Sequence, residues 1–115
     1  MAFSEFEIKR YGKAVETFLE QRRPPPHLRS QLDLGYRIGG QSIELFEIRP
    51  RWDQPDVIME LPFAKATWVK TGKVWRVYWQ RADMKWHRYD PLPETDSLDT
   101  FFKAVAEDAY GCFFG

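Results

Sequence analysis

The sequence predicts a single α+β domain in two layers: a five-stranded antiparallel meander with an N-terminal and a C-terminal helix packed on one face. Three observations carry this prediction. Apolar residues recur at three- and four-residue steps at both ends of the chain, and they alternate with polar residues through the middle. Gly39-Gly40 and Thr71-Gly72 punctuate that middle as hairpin turns. Short hairpins make neighbouring strands antiparallel, and two amphipathic helices need one apolar sheet face to bury against.

Ser4 followed three residues later by Glu7 forms a capping box, so a helix starts near Glu5, with Phe3 placed to staple onto Ile8. Ile8, Tyr11, Val15, Phe18 and Leu19 make its apolar stripe, and Arg22 and Arg23 complement the dipole in the last turn. Pro24, Pro25 and Pro26 stop it and read as a stiff connector. From Gln31 to Ile38, Leu32, Leu34, Tyr36 and Ile38 alternate with Asp33, Gly35 and Arg37, the period of a half-buried strand. With Gly39-Gly40 as a two-residue loop, Tyr36 faces Ile43, Leu34 faces Leu45 and Leu32 faces Glu47. The second strand, Glu44 to Arg51, runs to Pro50 and is followed by a loop through Asp56. A third strand begins at Val57 and is interrupted or bulged at Pro62, which has no N–H for the ladder.

With Thr71-Gly72 as the next loop, Trp68 pairs with Trp75, Ala66 with Val77 and Ala64 with Trp79, all on one face. The opposite face then carries Val69 with Val74, Thr67 with Arg76, and Lys65 with Tyr78. Arg81 to Lys85 turns the chain into a short fifth strand, Trp86 to Tyr89, whose facing the sequence leaves open. Asp96 or Thr95 caps a closing helix with a stripe of Leu98, Phe101, Phe102, Val105 and Ala109, ended by Gly111.

Composition excludes several classes. At 115 residues the chain is one domain, 1–115, able to bury roughly two-thirds of its unfolded surface. Its 17 basic and 17 acidic residues cancel, so any electrostatic footprint for a nucleic acid must come from local segregation. A lone Cys112 permits neither an internal disulfide nor a cysteine zinc site, and it reads as a small buried hydrophobe in a reducing cytoplasm. No apolar run approaches the roughly 20 residues of a membrane span, and Met1 to Arg10 carries acids where a signal peptide would be basic and then apolar. The expected location is therefore cytoplasmic, with no membrane partner.

Three separated segments carry a family resemblance: Glu44-Leu45-Phe46-Glu47-Ile48-Arg49-Pro50-Arg51-Trp52, the run from Trp75 to Tyr89, and Gly111-Cys112-Phe113-Phe114-Gly115. Together they resemble a bacterial family catalogued as domain of unknown function 3024. The resemblance covers nearly the whole chain and implies no substrate, cofactor or catalytic residue, so chemistry must be read from the residues themselves.

Lys65, Arg76, Tyr78, Trp86, His87 and Arg88 gather cations and rings in one hairpin region. A single-stranded nucleic-acid platform uses this combination, with stacking worth about 1 to 3 kcal/mol per base. Register weakens that reading, because it turns Trp68, Trp75 and Trp79 toward the core. The other face holds Val69, Val74, Tyr78 and Phe46, more apolar than a water-facing sheet needs, which suits a protein partner or a homodimer. The expected function is a binding module working through this outer face, with nucleic-acid binding as the alternative.

An enzyme would need converging acids and cations, and the best cluster is Glu44, Glu47, Arg49 and Glu60, beside Lys65. The element order invites comparison with PD-(D/E)xK nucleases, in which two acids hold a metal and a lysine positions water. Lys65, however, lies five residues past Glu60 instead of two, and Glu47-Ile48-Arg49 has Arg where Lys is needed. A buried ion pair from Glu47 to Arg49 or Arg51, holding the sheet edge, is the expected use of these charges. His27 and His87 have no second ligand at a recognised offset, so no metal, cofactor or catalytic residue is expected.

Overall fold

The computed structural model describes residues 2–113; Met1 and the Phe114 and Gly115 of the terminal motif lie outside that range. Helix α1 spans Glu5–Arg22 behind the expected capping box. Ser4 Oγ accepts the Glu7 N–H at 3.2 Å, and Glu7 Oε1 accepts the Ser4 N–H at 3.0 Å. The staple is formed differently from the expectation. The Phe3 N–H donates to the Gly40 carbonyl, which draws its ring down onto Tyr11 and Trp75, with centroids 5.0 and 5.8 Å away. Ile8 is left 42% exposed. Arg23 caps the helix, its N–H donating to the Leu19 carbonyl, and a single 3-10 turn, Pro26–Leu28, leads to the sheet.

The strands are β1 (Asp33–Gly39), β2 (Ser42–Pro50), β3 (Ile58–Val69), β4 (Val74–Gln80), β5 (Trp86–Arg88) and β6 (Glu94–Thr95). The first five form an antiparallel meander in sequence order, and β6 pairs with β4. The first hairpin differs from the expected register by two residues. Its loop is Gly40-Gln41, so Tyr36 faces Leu45 and Leu34 faces Glu47, while Leu32 precedes the strand. Gly40 takes φ +59°, the left-handed backbone that a tight hairpin assigns to its glycine. A shift of two preserves facing, so the apolar row survives the correction.

Pro62 marks an irregularity as expected. Leu45 pairs with Ala64 but Phe46 with Pro62, which leaves Phe63 as the extra residue of a bulge, turned into the core. The β3–β4 register is the expected one throughout, from Val69 with Val74 to Ala64 with Trp79. Strand β6 is absent from the sequence reading because two residues are too short to show a period.

Helix α2 spans Leu98–Glu107 with Ser97 as its N-cap, not Asp96 or Thr95. Thr95 is committed to β6, and its Oγ1 instead accepts the Ser97 N–H at 3.2 Å. The helix stops at Asp108, whose φ of 41° is left-handed, so Ala109 lies beyond it and Gly111 is not the stop. Both helices pack on the same sheet face, where Phe18 of α1 stacks on Phe102 of α2 at 4.8 Å. One core results, joining Val15 and Leu19, Ile43, Leu45, Ala66, Trp75 and Val77, and Phe101 and Val105. Trp68 and Trp79 pack against it, so these three tryptophans floor the core as the register predicted.

Candidate interface on the outer sheet face

With both helices on one side, the other side of the sheet is built from alternate residues of β1 to β5. Register aligns five of them in a single row: Arg37, Glu44, Lys65, Tyr78 and Arg88 each lie opposite the next. Trp86 pairs with Gln80 and so shares this face, which answers the facing that the sequence left open. A neighbouring row, Gly39, Ser42, Thr67, Arg76 and Glu94, is polar. Within it the Ser42 and Thr67 hydroxyls are 2.8 Å apart, and Arg76 Nε is 3.7 Å from Glu94.

Lys65 is the centre of the face. Its Nζ lies 4.7 Å from the Trp86 ring centroid and 5.1 Å from that of Tyr78. Burial among these neighbours lowers its pKa, and the carboxylate of Glu44 opposes that shift. Arg37 reaches Glu60 and, at 3.9 Å, Glu44. Its guanidinium also covers the Phe46 ring at 4.8 Å. Phe46 is therefore only 5% exposed and is not part of an open apolar surface, contrary to the expectation. The ring also fills the space over Gly35, where a Cβ would come within 2.7 Å of it.

Five of the expected binding residues, Lys65, Arg76, Tyr78, Trp86 and Arg88, thus share the outer face. His87 does not. It pairs with Trp79 on the helix side and bonds through Nε2 to Asp83 at 2.9 Å, an acid partner that the sequence reading did not contain. Asp83 itself is held below the ordinary carboxylate range by the Lys85 backbone N–H and then by His87.

The acidic cluster is divided by the sheet. Glu44 and Glu60 lie on the outer face, joined through Arg37. Glu47 pairs with Leu34 and lines a groove with Arg22, Pro24 and Leu32 on the helix side, where Arg49 Nη2 donates to it at 2.9 Å. Glu47 and Glu60 therefore cannot hold one ion between them; Glu47 does pair with Arg49, but the Arg49 side chain is 48% exposed, so the pair is not the buried one expected. Among the described residues, no group of three or more His, Cys, Asp or Glu is placed to hold a metal. Burial pushes the Cys112 thiol pKa up, away from a reactive thiolate. Among the described residues, no helix is long and apolar enough to cross a membrane.

Sequence reasoning missed one exposed feature. Trp52, at the tip of the β2–β3 arm, is 90% exposed, with Ile58 exposed close to it in sequence. Its signal was a tryptophan between Pro50 and Pro55 in an otherwise polar loop.

No curated protein and no solved structure matches this chain. A family profile does match, over residues 3–115, essentially its full length. All three segments lie within the matched span, and the chain belongs to the family described as Domain of unknown function (DUF3024).

Proposed function

We propose that this chain is a small interaction module that binds a partner protein through its outer sheet face. One observation carries the reading: both helices cover the same side, so that among the described residues no element covers Tyr78, Trp86 and the row from Arg37 to Arg88. The lone thiol suits a reducing compartment such as the cytoplasm.

Two features favour a protein over a nucleic acid. Lys65 lies over the Tyr78 and Trp86 rings, so a base would have to displace its ammonium to stack there. The acids are interleaved with the cations, since Glu44 and Glu60 answer Arg37, and Glu94 answers Arg76. A phosphate backbone would meet those carboxylates, whereas a protein surface of mixed charge is complementary to them. Lys65 and Arg88 flank the two rings and suit an acidic segment with an apolar anchor.

The test places a photo-crosslinking benzoyl-phenylalanine at Tyr78 in cells that make the chain, with a control at the exposed Lys103 of α2. The expected result is a protein adduct at position 78, absent from the control and lost when Trp86→Ala and Arg88→Glu are added. Nuclease-sensitive adducts, adducts only to a second copy, or labelling equal to the control would overturn the proposal.

A further inference from the structure

We propose that the edge strand β1 pairs antiparallel with β1 of a second copy about a two-fold axis at Tyr36, joining two sheets into one. This contact uses the edge of the sheet and is independent of the partner assigned to its outer face.

The backbone phase makes the pairing possible. The Trp68 N–H donates to the Gln41 carbonyl at 2.8 Å, so odd-numbered residues of β2 address β3 and even-numbered ones address β1. Ser42, Glu44 and Phe46 therefore bond Gly39, Arg37 and Gly35, and Leu34, Tyr36 and Ile38 direct their peptide groups away from the sheet. Asp33 Oδ1 accepts the Leu34 N–H at 2.8 Å. The Tyr36 and Ile38 N–H groups have no acceptor among the described residues.

Edges left free in monomers are usually short, bulged, broken by proline or guarded by projecting charge. The far edge fits this description: β5 has three residues, and Pro91 and Pro93 follow it closely. Strand β1 has seven residues and no proline, and its hairpin with β2 carries no bulge. Its charges are pulled back onto the same molecule, Asp33 by Arg23 and Arg37 by Glu44 and Glu60.

Centring the pair on Tyr36 sets Leu34 opposite Ile38 on the helix side and Arg37 opposite the bare Gly35 on the outer side. A slip that centred it on Arg37 would oppose two guanidinium groups.

Helix α1 supplies charge complementarity for the same symmetry. It runs antiparallel to β1, with Gly12 and Glu16 on either side of the Tyr36 hydroxyl, which donates to Glu16 Oε1 at 2.7 Å, and with Arg23 on Asp33. Along the groove between helix and edge, exposed Lys9 and Lys13 come first and exposed Glu16 and Glu20 follow. A two-fold axis at Tyr36 reverses that order in the second copy. Lys13 then meets Glu16 of the partner subunit and Lys9 meets Glu20 of the partner subunit, while the buried Gly12 lets the helix lie close over Tyr36 at the edge of its own sheet. An order of two cations followed by two anions is self-complementary in this antiparallel arrangement.

Sedimentation mass against concentration is the primary measurement, with amide hydrogen exchange as the second. The expected result is a dimer whose dissociation releases the Tyr36 and Ile38 amides to rapid exchange. Lys9→Glu with Lys13→Glu should halve the mass, and adding Glu16→Lys and Glu20→Lys should restore it; all four positions are exposed, and because Glu16 and Glu20 also contact Tyr36 and Arg23, circular dichroism checks that each variant is folded. A monomer at the highest soluble concentration would overturn the proposal. So would a dimer indifferent to the charge reversals, or one dissolved by Val74→Glu with Tyr78→Glu on the outer face.

Discussion

Trp75 and Trp86 lie on adjacent strands and have opposite environments. Trp75 is 3% exposed, edge-on to Tyr11 at 5.1 Å and packed on Phe3 and Trp68. Its truncation removes a large ring from a filled core, so Trp75→Ala should cost about 3 to 5 kcal/mol in urea unfolding. Trp86 stands on the outer face, half-buried under Lys65, and Trp86→Ala should cost about 1 kcal/mol or less. Equal losses for the two would contradict the assignment of faces. The placement of Trp75 was legible in the sequence because a turn centred on Thr71-Gly72 sets Val69 opposite Val74 and parity then determines every residue on both strands, although the turn spans residues 70–73 and its left-handed residue is Lys73 at φ 52°. That of Trp86 was not. The turn before it bends through Met84 at φ 64°, a left-handed non-glycine with no sequence signature, so parity is lost between Gln80 and Trp86.

At the scale of elements, an ion pair clamps the end of α1 to the start of β1. Arg23 donates through Nε and Nη2 to the two oxygens of Asp33, at 2.8 and 2.7 Å. This fork ties the end of the helix to the start of the edge strand across the prolines and the 3-10 turn. The hydrogen bonds from Arg23, partly offset by burial, hold the Asp33 pKa below its ordinary value of 3.8. A depressed carboxylate contributes stability that is fully present above the unfolded-state pKa and is lost as the pH falls through the folded value. The difference in melting temperature between the wild type and Asp33→Asn should therefore be largest near neutral pH and shrink below about pH 4. A difference that persists unchanged into acid would mean that the clamp is not electrostatic. The sequence displays both residues but not their meeting, because ten positions and a turn of undetermined direction separate them. For the same reason the outer row was legible only in part. The β3–β4 pairing could be read from one turn, whereas Arg37 with Glu44 needed the true position of Gly40, and Arg88 needed the missing parity of β5.

At the scale of the whole molecule, the two layers share one core and neither has a separate interior. Val15 and Leu19 of α1, Ile43, Leu45 and Val77 of the sheet, and Phe101 and Val105 of α2 belong to one contiguous cluster. Lifting either helix would expose the apolar face of the sheet together with its own stripe, so partial opening is costly on both sides. Unfolding in denaturant should consequently be a single cooperative transition. Far-UV circular dichroism reports the helices and strands, and tryptophan fluorescence reports Trp68, Trp75 and Trp79 against the core. Trp52, 90% exposed, adds emission that folding barely changes. Trp52→Phe should remove that background while shifting stability by no more than about 0.5 kcal/mol. In this variant the two probes should yield the same midpoint and the same slope. Loss of the helical signal ahead of the fluorescence change would mean that the helices dock on a sheet able to stand alone. A sheet with one helix-covered face and one open face has no such independence, because the residues that would stabilise it alone are the ones the helices bury.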